Sequence, residues 1–130
     1  MRLLLDTHIF LWYISGDKQL SLAWQSLLRD PANQVFLGVV SVWEASIKYD
    51  LGKLPLPAPP ETYLPLQCER HLIASLSLEE AALRHLAHLP ALHRDPFDRM
   101  LICQALEYDI TLVTVDPAIR AYPVTVLADS

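Results

Sequence analysis

Short apolar runs alternate with amphipathic stretches along the whole chain. Residues 2–5, Arg-Leu-Leu-Leu, end abruptly at Asp6 and predict a buried first strand. Residues 9–15 predict a helix stopped by Gly16, and residues 21–29 a second helix closed by Asp30-Pro31. The β-rich run 35–40 predicts a strand buried on both faces. Ser41 then opens a helix over 41–51, with Gly52 as its cap. A stiff proline-rich connection, LPLPAPPETYLP, runs into a helix over 61–71. A strand over 72–76, helices over 79–89 and 96–108, a strand over 111–115, a short helix over 117–121 and a last strand over 124–127 complete the pattern. Strands that alternate with helices imply an α/β sandwich, a parallel sheet covered on both faces.

Composition narrows the function classes. The chain has 130 residues, 52% hydrophobic and 19% charged, which suits one globular domain. No apolar run is long enough for a membrane span. Met1 to Leu5 resembles the start of a leader, but Asp6 interrupts it, so a cytoplasmic location is expected. Cys68 and Cys103 fall in helical stretches without CxxC spacing and read as buried free thiols. His85 and His88 have no second ligand pair at zinc spacing and read as surface residues. Three glycines leave no phosphate-cradling loop of the common kinds.

The acids carry the chemistry. Asp6 follows the first strand, Glu44 lies in the first turn of the helix after the second strand, and Asp116 follows the strand TLVTV. Ligands of parallel α/β sheets bind outside the carboxyl ends of the strands, so these three share an edge. Asp98 joins them if the helix after HRDPF starts there. Each acid also has a bland explanation. Ser41-Val42-Trp43-Glu44 matches a capping box, while Asp95-Pro96 and Asp116-Pro117 match N-caps followed by proline. Four converging carboxylates would repel one another, and a hard divalent cation relieves that best. All-oxygen ligands favour Mg²⁺ or Mn²⁺ and metal-assisted phosphoryl chemistry. Asp95 therefore reads as a helix cap and Asp98 as a ligand.

The stretches LLLDTHIFLW, VSVWEASIKYDLGKL, LPALHRDPFDRMLICQAL and TLVTVDPAIRAY resemble PIN-domain proteins, specifically VapC-type toxins of toxin–antitoxin systems. The resemblance covers nearly the whole chain and implies a single PIN domain over residues 1–130. It implies a three-layer sandwich around a parallel five-stranded sheet of order 3-2-1-4-5. It further implies a metal-dependent endoribonuclease using one or two Mg²⁺ or Mn²⁺ ions and leaving 5′-phosphate and 3′-hydroxyl ends. The expected partners are RNA, a VapB-type antitoxin and a second copy of the chain in a homodimer. Matched by motif, the family acids fall on Asp6, Glu44, Asp98 and Asp116, and the assisting hydroxyl on Thr114. Thr7 and Ser41 are nearby alternatives.

A net charge of −5, ten basic against fifteen acidic residues, argues against nucleic-acid binding until the site acids are set apart. Arg99, Arg94, Lys48 and His93 then become the candidate phosphate contacts, whereas Lys53 reads as a surface charge. Trp12 and Trp24, at helical spacing beside Leu and Ile, read as core or dimer contacts. Two rival functions remain. An aspartyl-phosphate phosphatase or receiver-like domain would need a DxD and a late lysine, and LLLDTH and the region after Lys53 supply neither. A non-catalytic interaction module would use the acids only as caps.

Overall fold

A computed structural model describes residues 1–92 and 95–128. Strand β1 (Arg2–Leu5) is central, with β2 (Gln34–Gly38) on one side and β4 (Thr111–Val113) on the other. Strand β3 (Ala74–Leu76) lies outside β2, and all pairings are parallel. The helices are α1 (Thr7–Ser15), α2 (Leu22–Arg29), α3 (Val39–Asp50), α4 (Pro60–Arg70), α5 (Pro96–Tyr108) and α6 (Pro117–Arg120). Residues Glu80–His88, within the stretch 79–89 expected to be helical, form a 3₁₀ helix.

Side chains alternate across β1, and this divides the core in two. Leu3 and Leu5 face one cluster with Phe10, Trp24, Leu28 and Leu64. Leu4 faces the other, with Leu101, Ile102, Ala105 and Ile119. Helices α1, α2 and α4 thus cover one face of the sheet and α5 and α6 the other, giving the expected three layers. Trp24 is buried and donates its indole N–H to the Ala128 carbonyl at 3.1 Å, and Trp12 packs on the same cluster.

Two expectations are corrected. The sheet has four strands in the order β3-β2-β1-β4, not five in the order 3-2-1-4-5. Residues 124–127 reach the sheet only through a bridge between Leu112 and Val126. Leu112 N–H donates to Thr125 O and its carbonyl accepts from Leu127 N–H, both at 2.9 Å. Beyond that point the Arg120 guanidinium takes the carbonyls of Thr114 (3.2 Å) and Leu127 (3.0 Å), so the ladder cannot continue. The second correction concerns residues 39 and 40, expected in a strand, which begin α3. Gly38 is the N-cap residue, without a side-chain capping bond, so Ser41 lies inside the helix. The Ser41–Glu44 capping box therefore does not form.

Candidate active site at the carboxyl edge of the sheet

In register, Leu5 pairs with Leu37 and with Val113, so Asp6, Gly38 and Thr114 come level at the edge where three strands end. The Asp6 N–H is anchored on Val113 O at 3.0 Å. Asp6 stands at the N-cap position of α1 yet makes no side-chain capping bond. Its carboxylate instead accepts from the Thr114 hydroxyl at 2.7 Å. The same hydroxyl oxygen accepts the Asp116 N–H at 3.1 Å, which ties the β4–α6 turn to Asp6.

Glu44 is buried in α3 and both of its carboxylate oxygens are engaged. Oε1 lies 2.8 Å from Thr7 Oγ1, which is also 2.8 Å from Ser41 Oγ. A hydroxyl has one proton and a carboxylate oxygen only accepts. Thr7 therefore donates to Glu44, and Ser41 donates to Thr7. Oε2 receives the Lys48 ammonium at 2.6 Å, one helical turn away. Sequence reasoning weighed Thr7 and Ser41 only as alternatives to Thr114. Here all three hydroxyls are buried and hold two different acids in place.

The charges act on one another. Burial pushes the Asp6 carboxyl above its usual range and the Glu44 charge adds to this, while the Thr114 bond, His8 and the Thr7 N–H oppose it in part. Burial lowers the Lys48 pKa, but its bond to Glu44 and the charges of Glu44, Asp95 and Asp98 outweigh that and leave it raised. Lys48 thus stands between the Glu44 side of the site and the start of α5.

Helix α5 explains the paired acids of DPFD. The Asp95 carboxylate accepts the N–H groups of Phe97 (2.9 Å) and Asp98 (3.3 Å), with Pro96 at the first helical position. Asp95 is the cap, as expected, and Asp98 is buried in the first turn. Asp116 likewise caps α6 through Ala118 N–H at 2.9 Å and is only half-buried. Arg99 reaches Pro90 O (3.3 Å) and the Tyr122 hydroxyl (3.2 Å). His93 and Arg94 lie outside the described residues.

The donors suit a hard cation: carboxylate oxygens, two of them buried beside one another's charge, with no soft ligand among them. Among the described residues, however, no three Asp, Glu, His or Cys side chains are gathered in ligating geometry. The structure brings Asp6, Glu44 and Thr114 together and places Asp116 on the same turn. Asp98, buried at the start of α5, acts with Glu44 on the charge of Lys48. The remaining candidates resolve otherwise. His85 pairs with Glu107 at 3.0 Å, and Cys68 is a buried free thiol pushed up to about 11 by burial. Among the described residues no helix is long and apolar enough to cross a membrane.

The chain resembles Ribonuclease VapC16 of Mycobacterium tuberculosis, 38% identical over 64 residues. That stretch is 49% of this chain and 43% of the relative, so the match spans less than half of that protein. Among solved structures, VapBC2 from Rickettsia felis bound to a promoter DNA fragment superposes with TM-score 0.73 at 17% identity, covering 98% of both chains. VapBC-1 from nontypeable Haemophilus influenzae gives 0.65 at 20% identity, covering 92% of this chain and 90% of that one. FitAcB from Neisseria gonorrhoeae gives 0.61 at 20%, covering 97% and 96%. At such identities these three speak for the fold. The family model for the PIN domain matches residues 3–124, and the chain belongs to the PIN-domain family.

Proposed function

We propose that this chain is a metal-dependent endoribonuclease of the VapC type, acting in the cytoplasm as the toxin of a toxin–antitoxin pair. One observation carries the reading: Asp6 and Glu44 are buried at the carboxyl edge of the sheet, held by dedicated hydroxyls, and neither carboxylate caps a helix. A buried charge without a structural task is costly and marks a functional site. The rival interaction module fits Asp95 and Asp116, which do cap, and fails at Asp6 and Glu44.

In this reading Asp6 and Asp98 are the principal ligands of a Mg²⁺ or Mn²⁺ ion, with Asp116 beside them. When bound, such an ion supplies Lewis-acid charge to a phosphoryl oxygen and makes water more acidic. The chain's own residues do the rest. Thr114 fixes one Asp6 oxygen. The Ser41–Thr7 relay and Lys48 hold the buried Glu44 carboxylate in place. Arg99, which donates to the Pro90 carbonyl and the Tyr122 hydroxyl, supplies a phosphate contact from the helix that carries Asp98. Arg94 and His93 belong to the same phosphate-binding stretch, just before that helix.

Two partners complete the proposal. Solved structures that superpose on the chain include VapBC2 and VapBC-1, which supports a VapB-type antitoxin as the inhibitor. A second copy suits α3, where Val39, Trp43, Ile47 and Leu51 stand exposed at four-residue intervals and form an apolar stripe. The test is cleavage of total RNA by purified protein with Mn²⁺ or Mg²⁺, with EDTA, and with Asp98→Asn. Cuts that need the metal and vanish in the variant establish the activity. Well-folded protein that cuts nothing under any metal, on RNA that includes transfer and ribosomal species, removes it.

A further inference from the structure

Two helices end against one cavity at the amino edge of the sheet, opposite the candidate active site. Arg29 is the last residue of α2 and Arg70 the last of α4. Both line a cavity of about 400 Å³, together with Tyr13, Asp30, Asn33 and His71. Both guanidiniums are exposed, and among the described residues neither has a hydrogen-bond or ion-pair partner. Lys48 and Arg84, by contrast, are paired with Glu44 and Glu107. Asp30 is the acid in the wall, and it serves its own turn: Oδ1 accepts the Ala32 N–H at 2.9 Å. Burial, and after it the charges of Arg29 and Arg70, lower the His71 pKa, so the two cations converge on one ring. The Tyr13 ring lies 5.2 Å from that ring.

A basic residue in the last turn suits the negative end of any helix. That accounts for each arginine alone, and not for the meeting of both at one cavity in a chain of net charge −5. Planar guanidiniums match phosphate, which accepts several N–H donors at once. The cavity has the size of a small-molecule site and is larger than a bare phosphate needs. Tyr13 and His71 add ring faces on which a base can stack. We propose that this cavity binds the phosphate of a nucleotide, clamped by Arg29 and Arg70. Two sources carry that group, an RNA strand and a free mononucleotide. Tyr13 lies seven residues along α1 from Asp6, about 10 Å of helix, so a strand held here can also reach the catalytic edge. The RNA source rests on the nuclease reading above, and the mononucleotide does not.

The experiment uses two probes on the purified chain: a short labelled single-stranded RNA, read by anisotropy in EDTA, and AMP, read by calorimetry. Three proteins are compared, each checked for an unchanged melting transition. They are the wild type, Arg29→Gln with Arg70→Gln, and Lys18→Gln with Lys53→Gln. The last pair removes the same charge at exposed positions outside the cavity. The arginine variant should lose about tenfold or more in RNA affinity. Its dependence of log affinity on log salt should flatten by about 0.7, as for one phosphate on a single strand. The lysine variant should stay within a few-fold of wild type. A loss confined to AMP would establish the cavity with a free nucleotide as its source. Equal binding of both probes by all three proteins, an equal loss in the lysine variant, or no binding of either probe by wild type would overturn the inference. A chain that cuts RNA with no dependence of binding on the arginines loses this inference and keeps the nuclease reading. A chain that binds through the arginines and never cuts loses the nuclease reading and keeps the cavity.

Discussion

Thr114 donates its hydroxyl proton to Asp6 at 2.7 Å and receives the Asp116 N–H at 3.1 Å, which makes it the joint between two acids 110 residues apart. Thr114→Val keeps the shape and removes the donor. The buried Asp6 carboxylate would lose its side-chain partner, at a cost of about 1–3 kcal/mol. Denaturant melts should show that loss, and cleavage should fall with it. Thr114→Ser keeps the hydroxyl and should retain most of both. Equal damage from the two changes would mean that the threonine methyl, and not the bond, matters.

Asp95 and Asp98 should separate cleanly. Asn serves as an N-cap as well as Asp does, so Asp95→Asn should leave stability within a few tenths of a kcal/mol and cleavage nearly intact, whereas Asp95→Ala should cost about 0.5–2 kcal/mol. Asp98→Asn should abolish cleavage with little change in melting. Inactivation by Asp95→Asn as complete as by Asp98→Asn would end this division of labour.

The Asp95 cap was legible because proline marks the first helical position and so labels the acid before it as the cap. The placement of Asp6 was equally legible, since an acid ending an apolar run at a parallel strand's end has one edge to occupy. The start of α3 was not. Val39 and Val40 look like strand, and Ser41 with Glu44 looks like a capping box. Gly38, where the chain turns, lies close against Gln104 and Leu101 of α5, a tertiary contact that no local pattern records. The fifth strand failed for a similar reason, because the Arg120 guanidinium donates to the Thr114 and Leu127 carbonyls at the end of the ladder, a tertiary contact that no local pattern records.

The Gly38 contact is itself testable. Its φ of −68° suits any residue, so backbone freedom is not the issue. A Cβ there would lie 2.6 Å from Gln104 Oε1 and 3.1 Å from Leu101 Cδ2. Gln104 is fully buried and its amide donates to the carbonyls of Leu76 and Ser77, both at 3.1 Å, so it cannot swing aside. Gly38→Ala should destabilise the fold by about 1–3 kcal/mol through overpacking. A melting curve that matches wild type would show that α5 yields at this point.

The apolar stripe on α3 gives a prediction about assembly. Ile47→Glu places a charge in the middle of the stripe without touching the core clusters. Light scattering after size exclusion should show a dimer for wild type and a monomer for the variant, with unchanged circular dichroism. A wild-type monomer at high micromolar concentration would assign the stripe to another partner.

Asp6 carries the clearest conflict between stability and function. Its folded pKa lies above the unfolded value of 3.8, chiefly through burial. Between those two pH values the folded chain holds a proton that the unfolded chain has lost, so stability falls as pH rises through that window. Above it, the charge is a standing cost at neutral pH when no metal is bound. Asp6→Asn removes that cost, and its side-chain oxygen still accepts from Thr114. Without metal at pH 7 the variant should melt above wild type, and the gap should close as pH falls below the usual aspartate range, where Asp6 is protonated in the folded and the unfolded chain alike. Adding Mn²⁺ should raise the wild-type transition, because a ligand that binds only the folded state stabilises it, and should leave the variant where it was. A metal-free Asp6→Asn protein that melts below wild type at pH 7 would show that the carboxylate charge is net stabilising, with burial outweighed by its hydrogen bonds.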